Sequence, residues 1–245
     1  MSSCEGTFDW VYDDAPTTIA VGQGQFYIDA TDWKKWYFID LDALQQHQLA
    51  DSSYDAGQDV VMIPIPSKST GDEETERGNH QRSGQYMYYF DVFGGGLKVN
   101  HFVNFVPTDS QPEPEKWTLA FHRNNVRTNG CSVYETTLTD INAVKSVDPA
   151  TITSWTQDEW TENEVWDDQS TMFNCLVPSQ GIAINKALSN WLTMEIPPVP
   201  PTFRYNNHVM LVKTPEGKYA ALQLADYLTP DGRKCGLTIQ YKYPL

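Results

Sequence analysis

At 245 residues, with 32 acidic against 17 basic side chains, the chain carries a formal charge of −15. That balance argues against nucleic acid, whose affinity rests on cationic contacts to phosphate, and against docking on anionic lipid by charge alone. No apolar run is long enough for a membrane-spanning helix, and an aromatic content of 13% favours strands and flat binding surfaces.

In chain order, residues 1–24 read as a tether, with Asp9, Asp13 and Asp14 among its residues and Gly22 and Gly24 at its end. Cys4 stands where a lipid-modified cysteine would lie if a start Met had replaced a signal segment; a chance cysteine in an ordinary N-terminus is the alternative. The folded part begins at Gln25. Alternation over residues 33–41 puts Trp36, Phe38 and Asp40 on one face of a strand and Tyr37, Ile39 and Leu41 on the other. Residues 44–49 suit a short helix. Residues 60–66 form a short strand cut off by Pro64 and Pro66. Residues 66–85 hold almost no apolar side chain and read as a polar loop or insertion. A strand resumes over residues 86–93, the glycines at 94–96 turn it, residues 97–106 return, and residues 107–116 make a second polar loop.

Trp117, His122, Arg123, Val126, Arg127, Asn129 and Gly130 then form a compact pattern. Residues 134–139 are a further strand candidate. The stretch 148–171 is rich in carboxylates and carries Trp155, Trp160 and Trp166, which would serve as a stacking platform if the chain is a binding module for a ligand such as a glycan. Residues 185–191 suit a short helix with Ala187, Leu188 and Trp191 at compatible spacing. A proline-rich hinge at 197–201 precedes three strand patterns: residues 208–213, buried on both faces at the centre; 219–224, after a turn at Pro215 and Gly217; and the last strand, with Leu237, Ile239, Tyr241 and Tyr243 on one face. There is no internal repeat and no second-domain boundary. The residues by themselves predict an all-β single domain of mostly antiparallel twisted sheets with one or two short helices.

The 117–130 pattern and the last sixty residues resemble the HmuY-type haem-binding lipoproteins of Bacteroidetes. The resemblance spans residues 25–245, is weakest over 42–116, and implies an HmuY-like β domain with a ligand cleft at one end. It further implies a haem-binding, hemophore-like surface lipoprotein, anchored in the outer membrane through Cys4. Such a protein takes haem from the medium or from host haemoproteins and passes it to a TonB-dependent outer-membrane transporter. Haem iron is held by His, Met, Cys or Tyr. The family's two axial positions map onto residues 167–173, where Met172 is the candidate, and onto the segment between Trp191 and the prolines. In the second segment, methionine-bearing relatives show Met-Pro-Pro and this chain has Ile196 before Pro197. Met194 is the candidate there, on the same side of an extended strand but displaced by ~6.5–7 Å. This identifies the chain with a divergent methionine-ligand branch. Ile196 keeps the alternative open: a binding module for another tetrapyrrole, a peptide or a glycan, or a structural lipoprotein.

The histidines read as structural or solvated. His122 is expected to be structural, His208 to sit at a sheet rim, and His47 and His80 to be solvated; His101 is the remaining candidate for an unexpected ligand. Cys131, Cys175 and Cys235 are widely spaced and read as buried thiols rather than a zinc site. No metalloprotease, P-loop or nucleophile-elbow motif occurs. The carboxylate pairs Asp158–Glu159 and Asp167–Asp168 are expected on a solvated face, so no enzymatic activity is predicted.

Overall fold

The computed structural model describes residues 24–75, 85–91, 102–168, 170, 176–195 and 202–245. Seventeen strands among these residues form antiparallel sheets. The chain's last strands build a five-stranded sheet in the order Gln25–Asp29, Lys234–Lys242, Tyr219–Leu228, Met210–Lys213, Ser132–Glu135. A four-stranded sheet follows the order Val61–Pro64, Lys35–Ile39, Leu119–His122, Asn125–Thr128. A second four-stranded sheet runs Leu176–Gln180, Gln85–Asp91, Phe102–Thr108, Glu74–Thr75. Two short ribbons complete the set: Glu159–Thr161 with Ile182–Ile184, and Leu192–Glu195 with Thr202–Tyr205.

The period-2 pattern decides how these sheets stack. Tyr37 and Ile39 join Leu119 and Phe121 on the face that packs against Leu222, Leu237, Ile239 and Tyr241 of the five-stranded sheet. Trp36, Phe38 and Ala120 point the other way and pack with Trp117, Met87, Ile182 and Ile184. The strand Gln85–Asp91 divides its own side chains in turn: Met87 goes to that second layer, while Tyr86, Tyr88 and Phe90 enter a third, aromatic one with Phe102, Phe105, Trp166 and Val177. Met210 and Val212 lie in the first cluster, with Val209 and Leu211 in a fourth, so that strand is buried on both faces. Each fully buried Leu, Ile or Phe in such layers stabilises the fold by roughly 1.5–3 kcal/mol.

Several predicted boundaries move. The first helix extends to Leu41–Ala50, because the Asp40 carboxylate accepts from the Asp42 N–H and caps it. The strand expected over 134–139 is Ser132–Glu135; Thr136 ends it by turning its hydroxyl to the Val209 carbonyl and accepting from the Leu138 N–H. The 66–85 loop contains a short strand, Glu74–Thr75, paired with Asn104 and Phe105. The 107–116 loop begins inside the strand Phe102–Thr108, where Pro107 lies opposite Tyr86. The same loop is pinned by Gln111, 8% exposed, whose amide donates to the Pro64 and Pro112 carbonyls. The second helix is Lys186–Ser189, capped by the Asn185 side chain.

Candidate ligand-binding site

Trp191 is fully buried, its ring stacked on Phe121 at 6.0 Å and 11°. Its carbonyl accepts from the Asn206 N–H and closes the ribbon Leu192–Glu195/Thr202–Tyr205. Leu192 enters the core, and Met194, two residues on and on the same face, lies opposite Phe203. The position is half-buried, and Met194 packs against the aromatic layer, where Trp33 also rests. The base of this ribbon is held by Glu135, which accepts from Asn206 Nδ2 at 2.7 Å, His208 Nδ1 at 2.9 Å and Asn190 Nδ2 at 3.1 Å. Burial raises the Glu135 pKa, but these hydrogen bonds outweigh burial and hold it below the usual range.

Met172 lies outside the described residues, as do Ile196, His80, His101, Cys4 and Cys175. The roots of the Met172 segment are nevertheless defined. Trp166 bridges to Ser179, and Leu176 restarts the chain as the edge strand of the aromatic sheet. Trp166 and Val177 both belong to the layer that Met194 touches.

Polar groups ring this wall. The Arg123 guanidinium lies 3.8 Å over the Trp33 ring and donates from Nη1 to the Thr31 carbonyl at 2.9 Å. Asp167 is 4% exposed, and its Oδ1 has no hydrogen-bond partner. Burial pushes its pKa up to about 6; Lys34 opposes the shift, and Asp168 and Asp32 add to it. Tyr89 is likewise raised, first by burial and then by Asp167 and Glu73. Lys34 itself pairs with Asp168 at 3.6 Å.

His122 is structural: 1% exposed, its Nε2 bound to the Trp33 carbonyl and its ring 5.3 Å from that of Trp36. His208 sits half-exposed at the sheet margin. Cys131 and Cys235 are buried free thiols, with pKa values pushed up by burial to about 12 and about 11.

Two expectations fail. Asp158 and Asp167 do not belong to a solvated face: Asp158 accepts from the Thr128 N–H, the Thr128 hydroxyl and Asn185 Nδ2, serving as a cross-brace between elements. The three tryptophans form no platform. Trp166 is buried in the aromatic layer and Trp155 packs in the fourth cluster, which leaves Trp160 exposed at 46%. Sequence reasoning also missed Trp33, which packs against the same aromatic layer as Met194.

Two open clefts lie elsewhere, one of about 600 Å³ beside Asp42, Trp117 and Tyr243 and one of about 590 Å³ beside Tyr27, Tyr37 and Met62; neither is lined by Met194. Among the described residues, no group of His, Cys, Asp and Glu is arranged to hold a metal ion, and no helix is long and apolar enough to cross a membrane.

A family model described as HmuY protein matches residues 32–241. Among solved structures, a Bacteroides vulgatus protein provisionally described as HmuY-like and heme-binding has 27% identity and a TM-score of 0.60, over 90% of this chain and 91% of that one. A Bacteroides fragilis protein provisionally described as a lipoprotein has 24% identity and a TM-score of 0.61, over 90% and 89%. The apo form of a HmuY analogue from Tannerella forsythia shares the fold at 15% identity and a TM-score of 0.62, over 90% and 95%. No curated protein matches the chain.

Proposed function

Since the chain belongs to the HmuY family, a family of binding proteins, we propose that it is a haem-binding surface lipoprotein in which Met172 and Met194 supply the two axial ligands. The observation that carries this reading is the half-buried Met194 thioether, packed against an aromatic layer that also holds Trp166 and Val177. A thioether is a soft donor that favours reduced iron, and flat aromatic walls suit a macrocycle. Trp33 and Trp166 would flank the ring, and Lys34, 64% exposed, offers a cation to a propionate. Captured haem would pass to a TonB-dependent outer-membrane transporter, with Cys4 as the lipid attachment point. The described HmuY-like, heme-binding relative supports the ligand class, and the described lipoprotein relative supports the anchor.

The test is a hemin titration of the purified protein, read before and after reduction with dithionite. Sharp six-coordinate bands that both Met172→Leu and Met194→Leu degrade support the reading. A broad spectrum indifferent to both substitutions defeats it. Ile196, in the position where methionine-bearing relatives carry a ligand, favours a second reading as a module for another tetrapyrrole, a peptide or a glycan. Under that reading, hemin gives no six-coordinate species.

A further inference from the structure

The strand Val61–Pro64 is an edge strand, paired among the described residues only with Lys35–Ile39. Successive side chains of a strand point to opposite faces, so one of two neighbours is normally covered. Here Val61 is 46% and Met62 60% exposed, while Ile63, on the Val61 face, packs against the second cluster and Val60, on the Met62 face, against the first. The other outer strand nearby, Gln25–Asp29, alternates cleanly between exposed and buried.

The direction of the free backbone groups follows from the register. The Ile65 N–H donates to the Lys34 carbonyl, and hydrogen-bonded pairs alternate along an antiparallel ladder. Ile63 and Val61 therefore bond inward to Trp36 and Phe38, while Met62 and Pro64 face outward. Pro64 has no N–H to offer, and its carbonyl already accepts from Gln111. Among the described residues, the N–H and C=O of Met62 form an open pair on the rim. Natural edges are commonly blunted by shortness, lysine, proline, inward-pointing charge or a bulge; this strand is short and carries Pro64, but Val61, Met62 and Ile63 bring no charge or proline to the rim beside Met62.

Beside this rim lies the cleft of about 590 Å³, lined by Tyr27, Tyr37, Val60 and Met62. Three carboxylates reach it. Asp32 pairs with Lys35 at 2.9 Å and Asp29 with Arg233 at 3.6 Å, whereas Asp55 faces no cation among the described ion pairs and caps the Gly57 N–H.

We propose that this rim and cleft receive an extended segment of a partner protein, which adds as a strand on Met62 and sets a basic side chain against Asp55. Main-chain bonding supplies affinity in such strand addition, and alternate side chains supply specificity. The rim offers the first and the cleft the second: on one face apolar side chains meet Val61, and on the other a lysine or arginine lays its stem along Met62 and answers the unpaired carboxylate in a chain of net charge −15.

The probe is a fluorescently labelled, end-blocked hexapeptide alternating valine and lysine, followed by anisotropy at low salt. Saturable binding is expected, weakened at least tenfold by replacing lysine with glutamate, by N-methylating alternate peptide amides, and by Met62→Lys in the protein. Met62 is well exposed, so that variant should melt like the parent and give the same hemin spectrum, which separates this surface from the proposed haem site. Absence of binding overturns the proposal, as does equal binding of the glutamate or N-methylated peptide, or indifference to Met62→Lys. A dimer in sedimentation velocity that Met62→Lys dissociates also overturns it, because the rim then serves a second copy of this chain.

Discussion

His122 donates from Nε2 to the carbonyl oxygen of Trp33 at 2.8 Å. A carbonyl can only accept, so Nε2 carries the proton and the neutral ring leaves Nδ1 without a partner. This bond joins the strand Leu119–His122 to the turn that presents Trp33 to the aromatic layer. Burial lowers the His122 pKa to about 4. The folded value is depressed, so the unfolded chain binds the extra proton, and the penalty grows as pH falls from about 6.5 to about 4. The stability of His122→Gln relative to the parent should therefore rise by about 3 kcal/mol between pH 7 and pH 4. Urea unfolding at the two pH values measures this; a pH-independent difference would show that the ring titrates alike in the folded and unfolded chain, and a difference of opposite sign that the fold holds it charged.

Asp167 works in the opposite direction over the same window. Its folded pKa, about 6, is raised above the unfolded value. The folded state therefore holds the proton more tightly, and stability is gained as pH falls through 6. At pH 7 the ionised, unpartnered carboxylate costs about 2–3 kcal/mol. Asp167→Asn should stabilise the protein by about that amount at pH 7 and by little at pH 4. It should also expose the acid sensitivity contributed by His122, which the parent partly masks. Melting curves of the variant across pH 4–7 decide this, and an unchanged profile would mean that water reaches the carboxylate freely.

The strands of the C-terminal half were legible because their alternation is strict: Leu237, Ile239, Tyr241 and Tyr243 share one cluster, as their spacing requires. The two faces of the strand Lys35–Ile39 were readable for the same reason. The 117–130 pattern proved structural. The Arg127 guanidinium lies 5.4 Å from the Trp36 ring and 5.3 Å from that of Trp117, so the pattern marks a packed core rather than a ligand contact. What could not be read was how non-local burial treats charge. Asp158 and Asp167 sit in an acidic stretch, and only tertiary neighbours such as Thr128, Asn185 and Trp166 take them out of water. Met194 lies in the strand Leu192–Glu195, and most of the layer it packs against comes from Gln85–Asp91 and Phe102–Thr108, about a hundred residues earlier in the chain.

Gly236 marks a close approach that the sequence does not announce. A Cβ there would lie 2.5 Å from the Thr229 nitrogen and 2.7 Å from the Leu228 carbonyl carbon, both backbone atoms. It faces Asp29 in the ladder, close to where the Tyr219–Leu228/Lys234–Lys242 pair loses regular register. Backbone cannot rotate away as a side chain can, so Gly236→Ala should cost about 2–3 kcal/mol or more. Gly217→Ala meets no atom within 4 Å and is strained only through its φ of +84°; it should cost about 1 kcal/mol. Chemical denaturation of the two variants side by side should give this order, and equal losses would refute the steric account.

Met194 and Trp191 separate ligand chemistry from scaffold. Trp191 is fully buried against Phe121, so Trp191→Ala should cost about 3–5 kcal/mol of stability and loosen the ribbon that carries Met194. Met194→Leu keeps volume and apolar character, so stability should fall by less than about 1.5 kcal/mol while the sulfur is lost. If Met194 holds iron, the reduced hemin spectrum of Met194→Leu should convert from six- to five-coordinate with hemin still bound, because the aromatic wall and the Met172 side remain. Met194→His should restore a six-coordinate species with shifted bands, since imidazole is itself an axial donor. An unaltered spectrum in Met194→Leu would assign Met194 to packing against the aromatic layer alone. The displacement from position 196 to 194 would then be too large for the thioether to reach the metal.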